Sequence, residues 1–348
     1  MNVPVSVLDL TPVPSGSTGA DAVRNSIDLA IAAERWGYSR YWVAEHHNTP
    51  GMACPAPELM IGQIASATSR IRVGSGGVML PNHSPLRVAE SFRLLEALYP
   101  GRIDLGIGRA PGTDGVTAYA LRRSNASGDE FPSQLAELLA FTGGGFPDDH
   151  PFRTVSAQPA DVDLPPIWIL GSSDYGAQVA AAMGVGFAFA RHLNPRGAVP
   201  AMALYRERFA PSENLDSPKA ILALSAICAE ATKTADDLAS SMALGVIRMR
   251  QGRPGRLPSP EEAKAHDYSE NEADQVRRYR RAQVLGTPDE VRAELTRLVE
   301  ETGADEVMIM SMVHDHAARM RSYELISGSL GLAANALAGL GASALDRR

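Results

Sequence analysis

The stretch "TPDEVRAELTRLVEETGADEVMIMSMV", residues 287–313, decides the fold. Its first part is a helix by local chemistry: Thr287 is placed to cap it, Pro288 fits the first turn and Gly303 ends it. "DEVMIMSMV" (Asp305–Val313) then reads as a strand, and "HDHAARMRSYELISGSL" (His314–Leu330) begins another helix. Working back along the chain, seven more strands of the same kind appear: Val3–Leu10, Tyr41–His47, Arg70–Leu80, Arg102–Gly112, Pro165–Ser173, Val185–His192 and Lys219–Ala231. Helical patterns separate them, among them Asp21–Trp36, Pro57–Thr68, the amphipathic run after Pro85, Asp174–Gly184 and Ala198–Phe209.

Continuous apolar strands divided by helices imply a parallel sheet covered on its outer face. Eight such units close into a (β/α)8 TIM barrel, an α/β fold. The competing arrangement, an open doubly wound sheet with a helical cap, would be unusually wide. Two long insertions are predicted, at about 113–165 after the fourth strand, with a helix at Ser133–Phe141, and at about 232–281 after the seventh. The chain, 1–348, is read as one barrel domain.

Composition narrows the function. Hydrophobic residues are 45% and charged residues 21%, a balance that excludes a disordered chain. The net charge of -7 gives no electrostatic case for nucleic acid or an anionic membrane. Cys54 and Cys228, the two cysteines, are too few for a disulfide framework or a thiolate zinc site and fit a reducing compartment. No basic leader is read at "MNVPVSVLDLTPVPSG", and no window reaches membrane-span length, so the expected location is cytoplasmic.

A barrel carries its active site at the C-terminal ends of its strands. There the sequence places Glu45-His46-His47, Ser75-Gly76-Gly77, Gly108-Arg109-Ala110-Pro111-Gly112, Gly171-Ser172-Ser173, Arg191-His192, and His314 with Asp315 and His316. Five of the eight His fall at these ends. Gly171-Ser172-Ser173 leading into Asp174-Tyr175-Gly176 offers backbone N–H groups, hydroxyls and a positive helix end, which suits a phosphate. Simple N-capping by Ser or Asp is the plainer account, and Arg109 on the neighbouring strand tips the balance toward an anion. Two glycines at Gly76-Gly77 weaken a strand unless a bulge, an unusual peptide or a flat ring against the backbone requires them; a barrel corner is an equal explanation. Strand alternation sends His46 and His47 to opposite sides, poor geometry for one metal, and no HExxH motif completes a site, so no metal is assigned. One imidazole as a proton-transfer group, with Glu45 fixing a loop or a tautomer, is favoured over a buried structural pair.

On these residues the chain resembles the bacterial luciferase-like family of flavin-dependent monooxygenases. The likeness lies in "ERWGYSRYWVAEHHNTPG", "RIRVGSGGVMLPNHSPLRVAESFRLLEALYPGRIDLGIGRAPG", "ILGSSDYGAQVAAAMGVGFAFA" and "GTPDEVRAELTRLVEETGADEVMIMSMVHDHAARMRSYELI", nearly the whole chain outside the insertions. The resemblance implies an enzyme that uses reduced FMN, bound or supplied as cosubstrate by a separate NAD(P)H-dependent flavin reductase. Through a flavin C4a-hydroperoxide it would oxygenate a small organic substrate. It implies a homodimer, with no nucleic-acid or membrane partner. It also implies that His46 is the catalytic histidine, beside Glu45 and His47. Ser75 and Gly76 would lie against the isoalloxazine ring, often at a non-proline cis peptide. Arg109 and Ala110, with Gly171, Ser172, Ser173, Tyr175 and Gly176, would hold the phosphate. His192 and His314 fall on the substrate side. Gly176 stands where relatives often carry Ser or Thr, and Arg191 where close relatives tend to have a second His. The insertion after the seventh strand is expected to be a substrate lid. Two rival readings remain. The first is a deazaflavin-dependent hydride-transfer dehydrogenase of the same superfamily, for which Arg122 and Arg123 would be helpers at the phosphate. The second is a non-catalytic flavin-binding subunit. A metal hydrolase is a more distant reading.

Overall fold

A computed structural model describes residue 1, residues 3–121 and residues 130–334, so Arg122 and Arg123 lie outside the described residues. The first half of the chain builds β1 (Val5–Asp9), α1 (Gly19–Arg35), β2 (Arg40–Val43), α2 (Pro57–Ala67), β3 (Arg72–Ser75), β4 (Val78–Met79), α3 (Pro85–Leu98) and β5 (Ile103–Gly108). Then come α4 (Gly115–Ala120), α5 (Phe131–Leu139), β6 (Ile167–Gly171), α6 (Asp174–Met183), β7 (Gly186–Ala190) and α7 (Ala198–Arg208). The last part holds β8 (Ala220–Cys228), α8 (Thr232–Arg250), α9 (Pro260–Ala265), α10 (Glu270–Arg281), β9 (Val284–Gly286), α11 (Pro288–Thr302), β10 (Glu306–Met310) and α12 (His316–Leu330).

The sheet closes on itself. Parallel pairings run β10-β1-β2-β3-β5-β6-β7-β8, and β8 returns to β10, which makes the eight-stranded barrel expected from the eight units. Three details differ from the sequence reading. The third strand is two pieces, because the Gly76–Gly77 peptide is cis and the chain steps from β3 to β4, which continues the stave by pairing with β5. β2 stops at Val43, so Ala44–His47 is a loop. A tenth strand, β9, pairs with the outer end of β8, Ala226–Cys228, where β8 runs past the barrel. Among the described residues no helix is long and apolar enough to cross a membrane.

Alternation along each stave fills the barrel in layers. The middle layer holds Leu8, Trp42, Trp168, Ile221 and Met308, with the Trp42 and Trp168 rings edge to face at 5.8 Å. Above it, toward the strand C-termini, sit Leu10, Ala44, Leu170, Ala223, Met310 and Met312. Below it the filling is charged. Arg40 reaches Asp104 at 2.8 Å and Glu306 at 2.9 Å, Arg72 reaches Asp104 at 2.7 Å, and Trp42 Nε1 donates to Asp104 at 3.1 Å. Ser6 donates to Glu306. These groups stand at the first or second positions of their strands and plug the barrel floor. Outward-facing Val5, Val7, Tyr41, Val43, Phe187 and Phe189 join the helices in the large outer core.

Candidate active site

Leaving β2, the chain places Glu45 at the centre of a closed network. Its fully buried carboxylate accepts from His47 Nε2 at 2.8 Å, Asn82 Nδ2 at 3.1 Å and the Met79 N–H at 2.8 Å. His83 Nε2 lies 3.0 Å from both of its oxygens. Burial pushes the Glu45 carboxyl up, but the hydrogen bond and charge of His83, with the Met79 N–H and His47, outweigh it and hold the pKa below the ordinary value. For His83 burial acts downward, and Glu45 outweighs it, raising the imidazole. Glu45 and His47 are therefore held by each other and by the β4–α3 segment. His47 faces Glu45, not a metal partner. Among the described residues no group of three or more His, Cys, Asp or Glu is arranged to hold a metal ion. His83 is the member of this network that sequence reading misses; only its place just past the Gly76-Gly77 strand hinted at it.

His46 is left for chemistry. Its N–H donates to the Cys54 carbonyl at 2.9 Å, which fixes the backbone. Burial lowers its pKa, the nearby Ala44 carbonyl and the Glu45 charge opposing this only in part. The Nδ1 atom is shut away from solvent with no hydrogen-bond partner among the described residues, while the residue as a whole is half-buried.

Neighbouring loops bring the other candidates to the same rim. The His47 N–H donates to Gly112 O at 3.2 Å, Thr113 Oγ1 donates to His47 O at 2.9 Å, and Asn48 Nδ2 reaches Asp114 Oδ2 at 3.0 Å. The loop after β5, which carries Arg109 and Ala110, is thus packed on the His46 loop. From there the Arg109 guanidinium lies over the Tyr175 ring, 4.2 Å from its centroid. This joins the end of β5 to the start of α6. Ser173 occupies the N-cap of α6 with extended geometry, yet its side chain makes no capping hydrogen bond. The plainer account, a Ser that only caps its helix, is not what the geometry shows, and first-turn N–H groups stay available for an anion. Asn194 Nδ2 holds the Ser172 carbonyl at 2.9 Å. Gly171 and Gly176 meet face to face: a Cβ on either would sit 3.2 Å from the other's Cα. The glycine at position 176 is thereby explained by strand–helix contact.

Ser75 is buried, its hydroxyl bridging the Gly106 carbonyl at 2.8 Å and the Gly106 N–H at 2.9 Å. A Cβ on Gly76 would come 2.5 Å from Leu8 Cδ1 and 3.2 Å from Trp42 Cβ. Packing alone requires this glycine, because Leu8 and Trp42 fill the space a side chain would take.

On the opposite rim the Arg191 N–H and His192 Nδ1 both reach Ala223 O, at 2.8 and 3.3 Å. Arg191 itself turns outward: Nη1 donates to Ala282 O at 2.8 Å, and Glu294, Arg297 and Glu301 of α11 act on its charge. It does not enter the substrate side. His314 is also redirected, its Nε2 lying 3.1 Å from Ser15 O and 3.2 Å from Ser15 Oγ. Ser15 in turn donates to Glu262 at 2.5 Å and takes part in the Val13–Leu257 ladder, so His314 belongs to the seam between the barrel and the α8–α9 connection. His316 points away, to Asp28 of α1 at 3.1 Å. Met242 of α8 packs onto the inner cluster from above.

With this geometry in hand, the sequence profile described as luciferase-like monooxygenase matches residues 3–306. The chain belongs to the luciferase-like monooxygenase family. A luciferase-like monooxygenase of Escherichia coli is 44% identical over 322 residues, covering 92% of this chain and 95% of that protein. The N-acetyl-S-alkylcysteine monooxygenase of Bacillus subtilis is 34% identical over 329 residues, covering 94% and 98%. The crystal structure of apo-MsnO8 superposes with a TM-score of 0.86 at 38% identity, over 95% of this chain and 99% of that one. More distant solved barrels share the fold alone. An FMN complex of the oxygenating constituent of 3,6-diketocamphane monooxygenase has a TM-score of 0.68, and an F420-dependent secondary alcohol dehydrogenase 0.66.

Proposed function

We propose that this member of the luciferase-like monooxygenase family uses reduced FMN and O2 to oxygenate a small, largely apolar organic substrate. The observation that carries this reading is the meeting of the uncapped N-terminus of α6 with Arg109, stacked on Tyr175, beside the His46 loop. An anionic tail fits the first two, and a proton-handling imidazole stands on the third. Ser172, Ser173, Tyr175, Gly176, Arg109 and Ala110 would hold the phosphate, with Ser75 and Gly76 behind the ring. FMN supplies the oxygen chemistry when bound.

The chain's own part is positional and protic. His46, kept below the usual imidazole pKa by burial, is neutral near neutral pH and is the group that takes up or returns a proton. Glu45 serves it by position, fixing the loop through His47 and His83. Met242 packs onto the inner cluster and the Ser15–Leu257 seam ties the α8–α9 connection to the barrel, the parts of the chain that would limit water at the mouth. Reduced flavin would come from a separate NAD(P)H-dependent reductase, and the working form would be a homodimer in the cytoplasm.

Two variants test the assignment together. Arg109→Ala is expected to weaken FMN binding about tenfold and leave riboflavin binding nearly unchanged, because the lost contact is to the phosphate. His46→Ala is expected to keep FMN affinity and lower substrate-dependent O2 uptake by roughly 10²–10⁴-fold. Equal loss of FMN and riboflavin in the first, or unchanged turnover in the second, overturns the reading. Tighter binding of the deazaflavin with no O2 uptake would replace it by the hydride-transfer alternative.

A further inference from the structure

We infer that His192 and Gln283 form the part of the site that reads the organic substrate, and that they select an uncharged molecule with an N–H or O–H donor on an apolar body. This rests on the proposed oxygenase reading and deepens it.

The argument starts at the Ala223 carbonyl. A carbonyl only accepts, so the His192 Nδ1 lying 3.3 Å from it carries the hydrogen and Nε2 keeps a bare lone pair. The residue as a whole is half-buried. Burial holds its pKa at about 4, so Nε2 stays an acceptor at neutral pH. Two residues on, along the same inner face of β8 and about 7 Å away by strand rise, Ser225 Oγ accepts from Gln283 Nε2 at 3.0 Å. That bond orients the Gln283 amide and leaves its Oε1 buried with no partner among the described residues. Among the described residues, two acceptors at this end of β8 therefore lack a donor, the Gln283 oxygen lying closed off from bulk water.

The surroundings define the rest of the ligand. Leu170, Met242, Met310 and Met312 supply apolar wall. Arg191, the cation adjacent in sequence, is held outward on Ala282 and offers no counter-charge there. A carboxylate would set its lone pairs against those of His192 and Gln283. An amide, amine-derived N–H or hydroxyl would meet them.

The test compares hexanamide, methyl hexanoate and hexanoate as probes, titrated calorimetrically into the FMN-loaded protein at neutral pH. Hexanamide is expected to bind about tenfold more tightly than methyl hexanoate, and hexanoate most weakly. His192→Phe is expected to remove the preference for hexanamide while leaving methyl hexanoate affinity and FMN affinity unchanged. Should that variant fail to fold, Gln283→Met is expected to lower hexanamide affinity alone, by about threefold. Equal binding of the three probes, tightest binding of hexanoate, or a uniform loss across probes in a variant with intact FMN affinity overturns the inference. If the wild-type protein takes up no FMN, the oxygenase reading fails instead, and the same titrations on flavin-free protein still decide the donor preference.

Discussion

At the scale of single residues, Glu45 and His83 show how a loop is set by charge. Because Glu45 lowers its own proton affinity by pairing and raises that of His83, the pair is ionised between the two titrations. The Glu45 contribution to stability is present above its unfolded value of 4.5 and is lost as pH falls through the lowered folded value. The His83 contribution is fully present below its unfolded value of 6.5 and is lost as pH rises through the raised folded value. His83→Gln keeps a donor and loses the charge. Its melting temperature should therefore fall below wild type by more at about pH 5.5 than at about pH 9. An equal difference at both pH values would assign His83 a packing role only. Little of this pairing was legible in the sequence. Glu45 and His46 stood out as chemistry at a strand end, but His83 lies 38 residues from Glu45, and only the pairing of β2 with β3 brings them together. His314 and His316 illustrate the same blindness: a residue just past a strand can turn into the mouth, along its rim or outward, and periodicity does not distinguish these.

At the scale of elements, the strands were readable because apolar runs of β-branched and aromatic residues leave few alternatives, and the capped helix at Thr287 was readable from its own first turn. Two features were not. The Gly76-Gly77 step changes no hydrophobic pattern, so β3 and β4 look like one strand. β9, three residues long, carries too short a signal to separate from the helices around it. Gly76 also yields a prediction at this scale. Gly76→Ala would place a methyl 2.5 Å from Leu8 Cδ1 within a filled layer, and is expected to destabilise by about 1–3 kcal/mol in urea unfolding. Combining it with Leu8→Ala should recover part of the Gly76→Ala effect, measured as a non-additive double-mutant cycle. Strict additivity would mean that the clash is relieved elsewhere.

For the molecule as a whole, the barrel divides its labour by end. The proposed chemistry stands at the strand C-termini, while the floor is an ion network whose acids, Asp104 and Glu306, are buried and whose arginines, Arg40 and Arg72, are half-buried. Removing one partner leaves charge without compensation, so Asp104→Ala is expected to cost about 3–5 kcal/mol of unfolding free energy. At temperatures where the variant stays folded, its FMN affinity should match wild type. A variant that loses FMN binding in proportion to stability would show instead that floor and mouth are coupled. The barrel class itself followed from the count of units, whereas the floor network did not, since its members come from four strands far apart in the chain.

The seam between β1 and β10 has a consequence for synthesis. β1 is made before both its partner β10 and the Leu257 ladder on its far loop, which arrive hundreds of residues later. Until then the nascent chain carries raw strand edges at β1 and β8, open to unwanted pairing. Truncations that remove β10 are therefore expected to precipitate rather than persist as an open sheet.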